Sequence, residues 1–506
     1  MPPSLREWLP SDHLVWFVLA VVDQLDTSAF HDRHPKAGPG RRAFDPDLLL
    51  AVLIYAYATG ERSSRRIETL CGEHLAFQVL CGRDVPDHTV IARFRATHED
   101  RFAEVFAQVL VLCAQAGMGK LGLVAIDGTK IAADASIFAN RAEESLRAQA
   151  RQIMAEAAAV DAAEDEEFGD ARGDEIAPEF ADPKTRAAAI KAALEEIEAE
   201  KKRREQEADA DGQQRQARWQ ERADIAQREL AQLEEDAQAR VAAWEAARAA
   251  ADAGRGRRPG GRRPTQDSHR VQKARKKVET LQRRAATATP SARAQGAERS
   301  PVKGNLTDPQ SRIMKTRTGW VQGYNAQLAV SEDFLILALM LTQDTNDMAS
   351  FEPMMAATVD AADQVQAHRP SPPNDDNQPD GIGVVLADAG YCSDHNLTID
   401  GPDRLIATSK DRRWREDAEQ NARTGSPPPE ATATEQMRHR MRTPEGAATY
   451  ARRGATVEPV NAHLKDQVGL RRFSRRGLTA AASELNLAAA VTNLLKLHRY
   501  STQTAT

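Results

Sequence analysis

The spacing of apolar positions changes three times along this chain. In "FDPDLLLAVLIYAYATG" (44–60) an almost unbroken apolar run lies between an Asp–Pro start and a Gly stop, which predicts a buried helix. "SSRRIETLCGEHLAFQVL" (63–80) follows with a Ser cap and amphipathic spacing, and Asp87 in "VPDHTVIARFRATHEDRF" (85–102) is placed to cap a helix bearing Arg93, Arg95 and Arg101. Three short helices, the last one basic, fit a helix-turn-helix-like module that touches DNA; the alternative is an ordinary helical subdomain with solvated arginines. At Leu121 the period shortens. Leu121, Leu123, Val124, Ala125 and Ile126 read as a short buried strand ending in Asp127–Gly128, with a possible second strand in "KIAADASI" (130–137).

Residues 140–300 lose the strand formers. They are rich in Ala, Glu, Arg and Gln, and predict long helices in a hairpin or coiled-coil insert, broken by the acidic stretch 163–183. From Arg255 to Arg299 the charge turns strongly basic. Its Gly/Pro part is expected without fixed structure, and such a run can bind phosphates non-specifically or remain a solvated charge run. Strand patterning returns over 319–347, where aliphatic residues at 328, 330, 335, 337, 339 and 341 fit paired antiparallel strands. A helix is expected over 348–368 with Asp347 near its cap. Short strands follow over 382–387 and 403–409, and the chain ends in helices over 455–473 and 481–500.

Composition narrows the class. The chain has 506 residues, a net charge of −6 and four cysteines without CxxC or zinc-ligand spacing. A disulfide framework is not expected, and a reducing, cytoplasmic setting fits better. The apolar patch near the N-terminus is interrupted by Asp12, His13 and Asp23, which suits neither a signal peptide nor a membrane span.

Asp127 at a strand end is costly unless it is solvated, paired or bound to a cation, and one such Asp is most simply a turn residue. "IGVVLADAGY" repeats the arrangement: an apolar strand, then Asp388, then Gly390. If the two strands are neighbours, both carboxylates emerge at one edge, where a hard cation with oxygen ligands could bridge them. Glu458 in "YARRGATVEPVNAHLK" is the third candidate. Val457, Val460, Leu464 and Val468 mark an apolar stripe, and Glu458, Asn461 and Lys465 share an adjoining face. Pro459 puts Glu458 in a first turn or at a kink. By itself this Glu among arginines reads as half of a salt bridge. Together the three acids can hold two divalent ions for in-line phosphoryl displacement, on a mixed sheet flanked by helices. Asp134, Asp308, Asp394 and His395 read as turn or cap residues.

These motifs resemble those of the DDE-type transposases of bacterial insertion sequences. Asp127–Gly128–Thr129 matches the family's "DGT", Asp388–Tyr391 its "DAGY", and Tyr450, Arg453, Glu458 and Lys465 its Tyr…Arg…Glu…Lys signature. The family commonly has three residues between Arg and Glu; Arg453 leaves four and Arg452 five. "NLTDPQSRIMK" and "GYNAQLAV" resemble segments of the branch with a long helical insert. The resemblance implies a ribonuclease H-like α/β mixed-sheet catalytic domain (116–140 and 301–500) carrying a helical insert (141–300), after an all-α N-terminal domain (1–115). It implies cleavage at transposon ends and strand transfer, with Asp127, Asp388 and Glu458 binding two Mg²⁺ ions, for which Mn²⁺ can substitute. Arg453, Tyr450 and Lys465 would lie near DNA phosphates, with Lys130, Arg471 and Arg472 as further candidates. The partners implied are double-stranded DNA, namely terminal inverted repeats read by the N-terminal helices and a target, and a second copy of the chain or more. The protein would act in the bacterial cytoplasm at the nucleoid, with no membrane contact. A ribonuclease H-like nuclease without strand transfer and a catalytically silent DNA-binding scaffold are the alternatives.

Overall fold

The computed structural model describes residues 7–33, 43–152, 183–290, 302–370, 381–409, 411–428 and 430–504. The acidic stretch 163–182, part of the basic stretch (291–299) and part of the Pro-rich loop (371–380) lie outside the described residues. The chain divides into two compact units, Met1–Asn140 with Asn305–Thr506, and Arg141–Gly304.

The first unit is α/β. The chain's strands are β1 (Leu123–Ala132), β2 (Asn140–Ala142), β3 (Lys303–Asn305), β4 (Arg312–Thr316), β5 (Gly319–Ser331), β6 (Ile336–Thr342), β7 (Val384–Ala387) and β8 (Arg404–Ile406). Six of them form one mixed sheet in the order β4-β5-β1-β7-β8, with β6 also on β5; β2 and β3 pair separately. β1–β5, β4–β5 and β5–β6 are antiparallel, and β1–β7 and β7–β8 are parallel. β5 has 13 residues and gives its far half to β6 and its near half to β4. Length decides one correction. β1 does not stop at Asp127: β5 supplies a partner as far as Ala132, so the first three residues of the expected second strand continue β1, and 133–137 are not strand. β7 has only four residues, and its pairing with β1 ends at Ile126↔Ala387. Asp127 and Asp388 therefore both follow the last paired residues of two neighbouring parallel strands.

Both sheet faces are covered, as a sheet with parallel strands requires. One face joins a large core from Val15 to Leu497, and the other packs Leu123, Leu386 and Leu405 on Trp414, Met437, Met441 and Tyr450. The N-terminal helices, expected as a domain of their own, share the larger core with the sheet. They are Leu14–Val22, Ser28–Asp32, Pro46–Ala58, Ser64–Glu73, Leu75–Leu80, His88–Thr97 and Phe102–Gln115. Asp45, Ser63 and Asp87 cap them through side-chain oxygens, and the segment expected as one helix breaks at His74. The basic helix is less open than its sequence suggests. Arg95 is buried and donates to the Arg62 carbonyl and Ser64 Oγ, Arg101 pairs with Glu104 at 2.8 Å, and Arg93 is exposed.

The second unit is dominated by one 70-residue helix, Pro183–Asp252, roughly 100 Å long. A second helix, His269–Ala286, runs antiparallel to it, with Arg275 on Glu234, Lys277 on Glu229 and Arg284 over Trp219. Small residues line the contact: Ala223, Ala226 and Ala237 are buried, as are Val271, Val278 and Ala285. The Gly/Pro part of the basic stretch folds back, with Arg258 pairing to Asp252 and Arg263 to Glu245.

Candidate active site

Two consecutive pairs of β1 residues face opposite sides of the sheet, because side chains alternate along a strand. Asp127 and Thr129 meet the helix Pro444–Asp466; Gly128 and Lys130 meet Asp347. On the helix side, Arg453 Nη1 lies 3.3 Å from Asp127 Oδ1 and Asn461 Nδ2 donates to Oδ2 at 3.1 Å. Lys465 donates to Thr129 Oγ1. The apolar stripe expected there holds: Val457, Val460, Leu464 and Val468 are all buried. The helix starts at Pro444, however, capped by Thr443, so Glu458 is interior and not in a first turn. Pro459 is tolerated inside it at the cost of the hydrogen bond to the Ala455 carbonyl.

On the opposite side a residue read from sequence as a cap takes another role. Asp347 makes no side-chain capping bond. Its Oδ1 accepts from Asn325 Nδ2 at 2.7 Å, Gln327 Nε2 at 2.8 Å and Lys130 Nζ at 3.1 Å. Its Oδ2 lies near Gly390. A Cβ built on Gly390 would lie 2.9 Å from Asp388 Oδ1 and 3.3 Å from Asp347 Oδ2. Asp388 also accepts from the Gly390 N–H at 2.7 Å. Gly128 is in-strand, not a turn. A Cβ there would come within 2.5 Å of Asp347 Oδ1 and 2.7 Å of Gln327 Nε2, so the missing side chain is what admits Asp347. Asn325 and Gln327 are fully buried polar residues in an apolar strand, and Tyr391 donates to Gln327 Oε1. Those two amides inside "GYNAQLAV" were the available signal for a nearby acid, since buried amides need partners.

Electrostatics reflect this crowding. Burial pushes the Asp127 carboxyl up to about 6, and the like charges of Asp388 and Asp347 add to that against the pull of Arg453. Burial likewise lowers the Lys465 ammonium and, with the three aspartates, raises the Tyr391 phenol well above its usual range.

The remaining candidates divide. Glu458 is exposed on the face that carries Gly454, Asn461 and Lys465, and has no hydrogen-bond or ion-pair partner among the described residues. Among the described residues it does not join Asp127 and Asp388 in a group with ligand atoms all within 4.8 Å; the groups that meet that limit are His31–Asp45–Asp47 and Glu68–Asp87–His88, where Asp45 and Asp87 cap helices. Arg453 is the arginine that reaches Asp127, while Arg452 pairs with Glu332. Tyr450 is no DNA contact: it is 2% exposed and packs edge-on against Trp414 at 4.8 Å. Arg471 pairs with Asp466, and Arg472 donates to the Ala133 carbonyl. Asp134 pairs with Arg476 at 2.9 Å, and buried Asp308 accepts from the Tyr324 hydroxyl. Ser393, not Asp394, caps the helix Asp394–Thr398, and His395 pairs with Glu352.

No described helix is long and apolar enough to cross a membrane. No curated protein and no solved structure matches the chain. Residues 3–97 match the family described as Transposase domain (DUF772), and residues 415–498 match the Transposase DDE domain, which contains the helix that holds Asp127. These two matches, one at each end of the chain, support a DDE-type transposase of the insertion-sequence type.

Proposed function

We propose that this transposase cuts DNA at transposon ends and joins the freed 3′-hydroxyl to target DNA, using Asp127, Asp388 and Glu458 as its reactive carboxylates. The observation that carries the reading is the register of β1 and β7. It sets Asp127 beside Asp388, while Arg453 and Asn461 of the Glu458 helix fasten onto Asp127. The strand order β6-β5-β1-β7-β8, antiparallel then parallel, supports a ribonuclease H-like domain.

The donor set fits a hard divalent cation. All candidate ligands are carboxylate oxygens, and Asp127 is held by burial and two neighbouring acids in a state that a bound cation would relieve. We assign Mg²⁺, replaceable by Mn²⁺, to Asp127, Asp388 and Glu458. Bound there, such ions supply charge neutralisation at the attacking and leaving oxygens. The chain's own groups do the positioning. Arg453 and Asn461 fix the Asp127 carboxylate, and Asp347, anchored by the Asn325 and Gln327 amides, fixes Lys130. Lys465, seated on Thr129, offers its ammonium to a DNA phosphate. Glu458 completes the set on DNA or cation binding, since it stands one helical turn from Asn461 with no bond to release. The N-terminal helices would bind the terminal repeats, and the protein would act as a dimer or higher assembly in the cytoplasm.

The test is cleavage of labelled transposon ends and joining of pre-cut ends to plasmid in Mg²⁺ or Mn²⁺, paired with a gel shift. Asp127→Asn, Asp388→Asn and Glu458→Gln are expected to lose both reactions and keep binding. Cleavage at the wild-type rate by Asp127→Asn would refute the assignment. Cutting without joining would favour a nuclease.

A further inference from the structure

Beyond Ala132, where β1 leaves the sheet, a cavity of about 510 Å³ opens to solvent between Trp320, Gln322, Ile137, Arg472 and Arg476. It lies five residues along β1 from Asp127, roughly 17 Å. Its wall is unusual in two respects. Trp320 is 64% exposed, and Phe138, next to Ile137, is 85% exposed, although both are large apolar rings. The cations around Trp320 are also uncompensated. Lys315 stands directly opposite Trp320 in the β4–β5 register, and Arg317 lies in the turn between these strands. Both are exposed, and neither has an acidic partner among the described residues. Arg472 donates to the Ala133 carbonyl at 3.3 Å and likewise meets no carboxylate. The acid on the wall, Asp134, is already neutralised by Arg476.

We propose that this groove binds an unpaired DNA strand, with one base stacked on Trp320 and the adjoining phosphates on Lys315, Arg317 and Arg472. The partner follows from complementarity. Three cations without acids suit a polyanion, and an open indole face suits a flat π-system. Inside a duplex both faces of a base are taken up by its neighbours, so Trp320 finds a free face at an unpaired nucleotide or on the outer side of a terminal base pair. A cavity of this size falls in the range that encloses a small ligand, enough for a nucleotide. DNA as the partner rests on the transposase reading above; the unpaired strand is what the groove adds.

The experiment is fluorescence anisotropy on the full chain with two probes, a blunt duplex and the same duplex bearing a tail of about five unpaired nucleotides. The wild type is expected to prefer the tailed probe. Trp320→Ala should reduce that preference on the order of tenfold, and Trp320→Phe should keep most of it. Lys315→Ala with Arg317→Ala should weaken both probes and flatten the salt dependence. Trp320 is exposed, so its variants should melt as the wild type does. Equal binding of both probes by the wild type, or an unchanged preference in Trp320→Ala, would overturn the proposal. Asp127→Asn must keep the tail preference for the groove to be a separate site. Failure of the wild type to cut in divalent cation would count against the active-site reading alone, because the tail preference needs no cutting.

Discussion

The helical arm and the edge of β1 and β7 are both dense in charge, yet they handle it in opposite ways. On the arm, Arg203 and Arg204 meet Glu200, Lys277 meets Glu229 and Arg275 meets Glu234, at exposed or half-buried positions. Such pairs are screened, and each contributes little. At the edge, three aspartates of one sign crowd a half-buried space, against Arg453 and Lys130. Folding alone gains nothing from that arrangement, since like charges out of water repel strongly. A fold keeps such a cluster when something positive is brought to it. The arm's charges solvate a helix; the edge's charges await a partner.

The largest expected effect is on chemistry. Asp127→Asn or Asp388→Asn should reduce end cleavage by at least about 10²-fold, the scale of losing one preorganised electrostatic group in an active site. Asp267→Asn on the arm should leave cleavage unchanged. Glu458→Gln sharpens the comparison, because this residue has no bond in the free protein. If it cuts as the wild type does while Asp347→Asn does not, Asp347 is the third acid.

Next comes Gly128. Its hydrogen is all that separates β1 from Asp347 and Gln327. Gly128→Ala is expected to destabilise the protein by about 1–3 kcal/mol, as overpacking does. It should also displace Asp347 and weaken cleavage. Urea unfolding beside the cleavage assay checks both. A variant as stable and active as the wild type would mean that Asp347 moves freely.

These residues also show what was legible beforehand. Asp127, Asp388 and the Glu458 helix could be read because each sits in a local pattern: an apolar strand before an acid, an apolar stripe beside one. The insert's helices were legible from composition. Asp347 was not, because its role depends on Asn325, Gln327 and Lys130, which only strand register brings to it. The merging of the N-terminal helices with the sheet was hidden for a similar reason. The uniform apolar run of Pro46–Ala58 signals burial but not against what, and its partner includes the helix Leu478–Thr504 at the far end of the chain.

A smaller effect concerns pH. With its carboxyl raised to about 6, Asp127 holds its proton in the folded protein at pH values where the unfolded chain has released it. Between about pH 4 and 6 the folded state binds more protons, so stability falls as pH rises through this window and levels off above it. The difference amounts to roughly 2–3 kcal/mol at neutral pH. Asp127→Asn should remove that part of the slope. Unfolding of both proteins at pH 4.5 and 7 in chelator checks this: the gap between them should widen at pH 7. A constant gap would show that the edge is better solvated than its burial implies.

The smallest effect belongs to the arm. Lys277 and Glu229 lie 2.8 Å apart, with 55% of each side chain exposed. Attraction across water is weak at that exposure, and holding two long side chains in one geometry costs entropy that offsets most of it. Exchanging the two residues, Lys277→Glu with Glu229→Lys, retains the pair and should change stability by less than about 0.5 kcal/mol. Lys277→Ala alone should do little more, and added salt should erase the difference, because exposed charges are screened within a Debye length. Helix content followed through thermal unfolding at low and high salt measures this. A loss that persists in high salt would mean that the arm's charges, like those of the β1 edge, are held away from water, and the contrast between the two regions would fail.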